Sequence, residues 1–416
     1  MSAQRIRTIG LFGLFGVRNL GNEATLAATV AALRARDPSL RLVLVSAPPA
    51  ANAGLPEFAG QIDPDLLPVM HRPWRLVPSR WKARWGAFVQ WLTEPLRRRM
   101  TKHRARELDL LLVAGTGIAD DFWQGPFDVP HQIARWCTVV NENGGAVRFA
   151  SVGAGPVAHP RSRRYFHAAL QAADYRSYRE HSSKKFAREI GIAADADRVL
   201  PDMVFSLPIP PEVATRSVQW PPRRIALGVM GYTGWNVAPE AGEKIYAAYL
   251  QKLVWLARAL LDSGYAVRLL IGNRGGDRRP VKDLSAALAG HPTLTGGAFV
   301  AREIVTHEHV LEEIAETDLV IATRFHNVLK SLLLGRPVIS VGYARKNDDL
   351  MAEMGLSAYC HAVETFDPAA VLAQVRTIAA LPAPPTVVAR EKVALYRAEL
   401  AAQYDRLLQT NTQTGH

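Results

Sequence analysis

Two Rossmann-like α/β halves are the fold that this 416-residue sequence predicts. Three observations carry the prediction. Short apolar runs ending in glycine alternate with longer segments of helical spacing, as in the strand–helix units of a doubly wound sheet. The alternation runs twice, broken once by the proline-rich stretch SLPIPPEVATRSVQWPPRR at 206–224. The run LDLLLVAG at 108–115 is almost continuously apolar, as a strand buried on both faces of a parallel sheet must be.

Each element follows from its local pattern. Residues 5–13 read as a strand, 22–36 as a helix and 40–46 as a strand. After the strand at 108–115 come a helix near 129–141 and the strand AVRFASVG at 146–153. A helix near 162–173, the short strand YRSYRE and the helix SSKKFAREIG complete the first half. The second half starts with a strand at 224–231 and a long helix at 242–263. The strand YAVRLLIG and helices at 281–289 and 305–316 follow. The strand DLVIA, a helix at 327–334 and the strand PVISVGY come next, and a last helix spans 387–409. The expected domains are residues 1–205, a linker at 206–223, residues 224–385, and a C-terminal helix and tail at 386–416. Two such domains facing each other across a cleft form the GT-B architecture, in which ligands sit beyond the carboxyl ends of the strands.

Composition narrows the class. Hydrophobic residues make up 48% and charged residues 21%, which suits a globular protein with a large core. No run reaches the ~18 apolar residues that span a bilayer. The start, MSAQRIRTIGLFGLFG, reads as a first strand rather than a secretion signal, because its apolar part is short, glycine-rich and leads straight into a helix. Cys137 and Cys360 are far apart and lack metal spacing, so a reducing cytoplasm is the expected compartment. The net charge of +12 favours anionic partners.

Part of that charge is concentrated in residues 71–106, which carry eleven Lys or Arg, one Glu and four Trp. Trp81, Trp85, Phe88, Leu92 and Leu96 recur at helical spacing, with arginines on other faces. A basic, Trp-bearing amphipathic helix suits an anionic membrane surface. A helix packed on its own domain with a solvated basic face fits the same pattern. Nucleic acid is the least expected partner.

Four constellations have chemistry in them. In FGVRNLGNEATLAA (15–28) a strand gives way to a glycine-bearing loop and a helix start. Backbone N–H groups there can hold an anion or a sugar hydroxyl, and Asn22 can serve as a plain N-cap. In VAGTGIADDFWQGPF (113–127) Gly115 and Gly117 follow a core strand, and Asp120, Asp121 and Trp123 are of the types that bind sugars. SVGAGPVAHP (151–160) is a third strand end, with His159 read as a surface loop residue. The fourth, TRFHNVLKSLLLGRPVISVGYARK (323–346), sets Arg324, Phe325 and His326 at one strand end. Tyr343, Arg345 and Lys346 stand at the next. In a parallel sheet these two ends share a rim, so Arg324, His326 and Lys346 are expected to converge on one ligand; the alternative is that Arg324 pairs with a structural carboxylate and His326 caps the turn. Arginine recognises carboxylate or phosphate through paired hydrogen bonds, lysine acts as a point charge, and histidine exchanges a proton near neutral pH. His307 and His309, two apart, do not share a helix face, so a metal role is not expected there.

At this point the sequence resembles the polysaccharide pyruvyl transferase family over most of its length. The matches are N-x-G-N-E at Asn19–Glu23, the glycine loop after LDLLLVAG, SYREHSS at 177–183, and the Arg-x-His followed by Tyr-x-x-Lys at 324–346. The resemblance implies a GT-B-like enzyme that transfers pyruvate from phosphoenolpyruvate onto two hydroxyls of a saccharide. The product is a cyclic ketal in a surface polysaccharide. It implies that Arg324 holds the donor, that His326 binds it and acts as general acid, and that Phe325, Tyr343 and Lys346 complete the donor site. The acceptor would lie against the N-terminal domain, at Asn19, Gly21, Asn22, Glu23, Gly115, Gly117, Asp120 and Asp121. No cofactor beyond the donor substrate and no metal are expected. A lipid-linked acceptor would place the enzyme at the inner membrane face. Members commonly carry Asp in place of Asn22, a glycine in place of Thr116, and an arginine after the first C-terminal strand. Here that last segment reads ALGVMGYTGWN, and Arg274 or Arg345 is the expected substitute. A nucleotide-sugar glycosyltransferase is the alternative, with Glu303 and Asp277 as weak candidates for the ribose carboxylate. A saccharide-binding protein without catalysis is the third reading, against which Arg324, His326 and Lys346 argue.

Overall fold

The computed structural model describes residues 6–45, 79–118, 125–155, 157–235, 237–292 and 297–409, with the side chains of 79–91 outside the description. Two compact units divide the chain. The first comprises Met1–Val17, Thr25–Leu207 and Ala398–His416, and the second Arg18–Ala24 and Pro208–Arg397.

The first unit is built on six parallel strands in the order β2-β1-β3-β4-β5-β6. They are β1 (Thr8–Phe12), β2 (Arg41–Leu44), β3 (Leu110–Ala114), β4 (Ala146–Val152), β5 (Tyr175–Tyr178) and β6 (Arg198–Val199). All five residues of β3 are buried, as its unbroken apolar run requires. Helices α1 (Leu20–Arg36), α2 (Ser79–Ala105), α3 (Val129–Glu142), α4 (Pro160–Gln171) and α5 (His181–Glu189) intervene in the chain. Register starts at Asp109, whose carboxylate accepts from the backbone N–H groups of Arg7 and Thr8, both at 2.8 Å.

The second unit repeats the plan with the strand order β12-β11-β10-β7-β8-β9, again all parallel. Its strands are β7 (Arg224–Gly228), β8 (Ala266–Leu270), β9 (Phe299–Val300), β10 (Leu319–Ala322), β11 (Val338–Gly342) and β12 (Cys360–Ala362). Its helices are the single turn α6 (Pro211–Ala214), then α7 (Pro239–Asp262), α8 (Arg278–Leu288), α9 (His307–Ala315), α10 (Phe325–Leu333), α11 (Arg345–Glu353) and α12 (Pro368–Ala379). The last helix, α13 (Val387–Leu407), starts here and ends in the first unit. The first strand β7 is central, and the chain reverses direction across the sheet between β7 and β10. That reversal is the topological switch point, where doubly wound sheets bind ligands.

The units are cut differently from the expected domains. From Pro208 onward the proline-rich stretch groups with the second unit. Buried Asp318, just before β10, accounts for this: it accepts from Gln219 N at 2.9 Å and Arg223 N at 3.1 Å and pairs with Arg224. Burial alone would raise this carboxyl. Arg224 and the backbone donors instead hold it below the ordinary carboxylate range. Residues 398–416, expected as part of a separate tail, group with the first unit. There Arg148 donates to Leu407 O at 2.7 Å and Gln403 donates to Ser151 Oγ at 3.0 Å.

Candidate functional site

The second unit's switch point begins with Arg324. It follows β10 and occupies the N-cap position of α10 with extended backbone (φ −76°, ψ 131°). Its guanidinium forks onto Asp277, with Nε to Oδ2 at 3.1 Å and Nη2 to Oδ1. Asp277 is fully buried. It also accepts from Gly272 N (2.9 Å), Asn273 N (2.8 Å) and Gly231 N (3.2 Å). One carboxylate therefore ties together the loops after β7, β8 and β10. Burial alone would weaken the guanidinium's hold on its proton, and Asp277 more than offsets this.

This corrects one sequence expectation. Arg324 does have a structural carboxylate, 47 residues back in the chain. The fork still leaves Nη1 without a protein hydrogen bond among the described residues, on a side chain that is 20% exposed. Arg324 is thus a pre-oriented donor rather than a cation awaiting its only partner. Asp277 in turn is occupied by protein groups, and Glu303 is an exposed surface residue near Arg278.

A second correction concerns the N-x-G-N-E segment. Asn19, Gly21, Asn22 and Glu23 were expected on the acceptor side of the first domain. They group instead with the second unit, as part of Arg18–Ala24. The reason is backbone pairing. Leu20 N donates to Gly272 O at 3.0 Å and Arg274 N to Arg18 O at 2.9 Å, around an antiparallel bridge between Asn19 and Asn273. Arg18 enters this bridge with a left-handed φ of 62°. Asn19 rather than Asn22 supplies the cap, its Oδ1 accepting from Gly21 N at 3.0 Å. Gly21 then lies flat against His326: a Cβ at this position would overlap the imidazole at Nδ1. Glycine is needed here for close approach, not for an unusual φ.

His326 is the second residue of α10 and half-buried. Phe325, 5% exposed, stands edge-on to it with ring centroids 5.2 Å apart. The Lys346 ammonium lies 5.3 Å from the centre of the Phe325 ring and 5.2 Å from that of Tyr343. Three predicted donor residues thus come together at the ends of the paired strands β10 and β11. Tyr343 O accepts from Trp235 Nε1 at 3.3 Å, and the two rings sit 5.8 Å apart. Lys346 is the second residue of α11, so its charge adds to free N–H groups at that helix start. Neither α10 nor α11 has a side-chain cap hydrogen bond. Of the two substitutes for the missing arginine, Arg345 points outward, 87% exposed and 3.6 Å from Asp349. Arg274 lies in the loop after β8 that Asp277 organises.

Sequence reasoning missed Lys330. It stands one turn after His326 on α10, is 1% exposed, and donates to His307 O at 3.3 Å. Burial pushes its pKa down to about 7, against the pull of the Glu308 and Glu23 carboxylates. A lone lysine in an apolar helix, four residues after His326, was the available signal.

The remaining predicted residues fall in the first unit. Gly115 and Gly117 follow β3, where Thr116 Oγ1 accepts from Leu14 N and a Cβ on Gly115 would press on Met203. Asp120 and Asp121 lie outside the described residues. In the SYREHSS motif, buried Arg179 bonds Glu180 Oε1 at 2.8 Å and Asp202 Oδ2 at 3.0 Å, a bracing network at the end of β5. His159 caps α4, accepting from Arg161 N at 3.1 Å.

Chemically, the second unit offers a small anion two uncapped helix starts, an oriented guanidinium and an ammonium. Beside them stands a histidine able to exchange a proton.

Comparisons with known proteins bear on the family and the fold. Residues 19–345 match the model of a family described as polysaccharide pyruvyl transferase. That span runs from the first residue of the N-x-G-N-E segment to α11. No curated protein matches the chain. Among solved structures, UDP-GlcNAc 2-epimerase from Neisseria meningitidis, bound to UDP-GlcNAc, is similar with a TM-score of 0.57 at 10% identity. The match covers 98% of this chain and 100% of that one. UDP-GlcNAc 2-epimerase from Methanocaldococcus jannaschii gives 0.56 at 10% identity, covering 94% and 99%. HepE from Anabaena, in complex with UDP-glucose, gives 0.53 at 12% identity, covering 97% and 98%. At such identities the likeness establishes the fold: two Rossmann-like units of the GT-B class.

Proposed function

The chain belongs to the polysaccharide pyruvyl transferase family, and on that premise we propose that it moves pyruvate from phosphoenolpyruvate onto two hydroxyls of a saccharide. The products are a cyclic ketal and inorganic phosphate. The observation that carries the reading is the placement of His326 against Gly21, two residues beyond the Asp277-oriented Arg324.

Phosphoenolpyruvate presents a carboxylate and a phosphate on a three-carbon frame. Arg324 Nη1 and Lys346 answer those charges, with the first N–H groups of α10 and α11 as further donors. His326, as imidazolium, gives a proton to the methylene carbon. The carbon that bears the phosphate becomes oxocarbenium-like, and one saccharide hydroxyl attacks it, losing its proton. The C–O bond to phosphate then breaks, and phosphate leaves with the electron pair. A second hydroxyl adds to the regenerated cation and loses its own proton, closing the ketal. One hydroxyl proton restores His326 and the other leaves on phosphate. Such proton transfer from a positioned acid contributes about 10²–10⁴-fold to rate.

A nucleotide-sugar donor has less support. Its ribose calls for a free carboxylate near a strand end, and Asp277 is buried and bonded on both oxygens, Oδ2 by Gly272 N and Arg324 Nε and Oδ1 by Gly231 N and Arg324 Nη2. The deciding experiment supplies phosphoenolpyruvate with a panel of saccharides and reads phosphate release together with the mass of the acceptor. Acceptor-dependent release with pyruvate gained on the sugar supports the reading. Turnover of a UDP-sugar with none of phosphoenolpyruvate defeats it.

A further inference from the structure

Helix α2 has two faces with different fates. Toward α3, Thr101 and Ala105 are buried, and Glu94 lies 3.3 Å from both Arg135 and His131. Arg98 pairs with Glu142, and Asn143 donates to Lys102 O at 3.2 Å. The helix is therefore packed on its own unit, one of the three readings its sequence allowed. Among the described residues, the opposite face carries exposed side chains. Leu92 (62% exposed) and Leu96 (55%) stand there, followed at helical spacing by Arg99, His103 and, just past the helix end, Arg106. This is an i, i+4, i+7, i+11, i+14 stripe. Arg99, Lys102 and Arg106 are exposed and have no ion pair among the described residues. The only acidic residue between Leu92 and Arg106 is Glu94, which is turned to α3.

We propose that this outer face of α2 docks on an anionic lipid bilayer. Two exposed leucines beside unpaired cations match the layered chemistry of a membrane surface. Leucine enters the acyl boundary, while arginine and lysine meet headgroup phosphates. Among the described residues no helix is long and apolar enough to cross a membrane, so the association is peripheral. Nucleic acid also attracts such cations but gives exposed leucines nothing to enter. In the sequence the apolar stripe begins earlier, at Trp81, Trp85 and Phe88, whose side chains lie outside the description.

The test is sedimentation of the full chain with vesicles of phosphatidylcholine, with or without phosphatidylglycerol, and a parallel titration with duplex DNA. The wild type binds the anionic vesicles at low salt and leaves them as salt rises. The triple change Arg99→Gln, Lys102→Gln and Arg106→Gln lowers partitioning by on the order of 100-fold. Leu92→Ser with Leu96→Ser lowers it by at least about tenfold. Both variants keep the wild-type melting curve, because the altered side chains are exposed. Absence of vesicle binding, binding unchanged in either variant, or DNA binding that depends on the cations but not the leucines overturns the proposal. The phosphate-release activity is read separately, so this result is independent of the proposed reaction.

Discussion

The imidazole of His326 rests against the bare Cα of Gly21, in direct contact although the two residues are 305 apart in the chain. The contact joins a loop after the first strand of the chain to a helix start near its end. It holds because Arg18–Ala24 pairs with the loop after β8 instead of staying with the strand that precedes it.

Gly21→Ala tests that contact. A methyl group must push the imidazole aside or lift the segment. A displacement on the ångström scale costs about 100-fold in rate. The proposed donor groups, Arg324 and Lys346, are untouched, so the expected result is a kcat loss of about that size with KM for phosphoenolpyruvate changed less than about threefold. Steady-state phosphate release measures both. An unaltered kcat would show that Gly21 does not fix the acid.

Asp277→Asn tests the hub. It leaves the half-buried Arg324 without its fully buried countercharge and weakens three backbone hydrogen bonds. Breaking a buried pair from one side costs about 3–5 kcal/mol. Denaturant unfolding should show that loss, whereas a change under about 1 kcal/mol would mark the pair as surface-like.

Arg324→Lys separates charge from geometry. Lysine keeps the cation but cannot fork onto Asp277 while presenting a further planar donor. KM for phosphoenolpyruvate should rise about tenfold or more, the effect of one lost charge-assisted hydrogen bond. Calorimetric titration of the donor into the variant checks this, and wild-type affinity would remove Arg324 from the donor site.

Lys330 gives the fold a pH signature. Its pKa falls to about 7 in the folded state, through burial that the Glu308 and Glu23 carboxylates only partly offset. Between that value and the ordinary lysine pKa the folded chain binds fewer protons than the unfolded one, so stability rises with pH across this window. Lys330→Met lacks the increment. The wild type should therefore gain about 2–3 kcal/mol on the variant between about pH 6 and pH 9. Parallel stability curves would contradict the burial of this ammonium.

Much of this was legible in the sequence, for identifiable reasons. The core strands announced themselves as apolar runs such as Leu110–Ala114 and Val338–Gly342, which parallel sheets bury on both faces. Arg324, His326 and Lys346 were legible because charge and imidazole at consecutive strand ends are out of place in a core. Helix Arg345–Glu353 was not, since RKNDDLMAE has too few apolar positions to show a period. Helix Pro368–Ala379 carried a readable start, with Asp367 accepting from Ala369 N, and was overlooked. The pairing of Arg324 with Asp277 and the transfer of Asn19–Glu23 to the second unit depend on contacts 47 and about 250 residues apart. No local pattern encodes such distances.

In the proposed reaction His326 delivers the proton that starts turnover of phosphoenolpyruvate. The most direct measurement is phosphate release by His326→Ala with a competent saccharide acceptor, set beside its melting curve. A loss of at least about 100-fold with the melting temperature held within about 2 °C is the predicted result. Release within a few-fold of the wild type, from a folded variant, would contradict it.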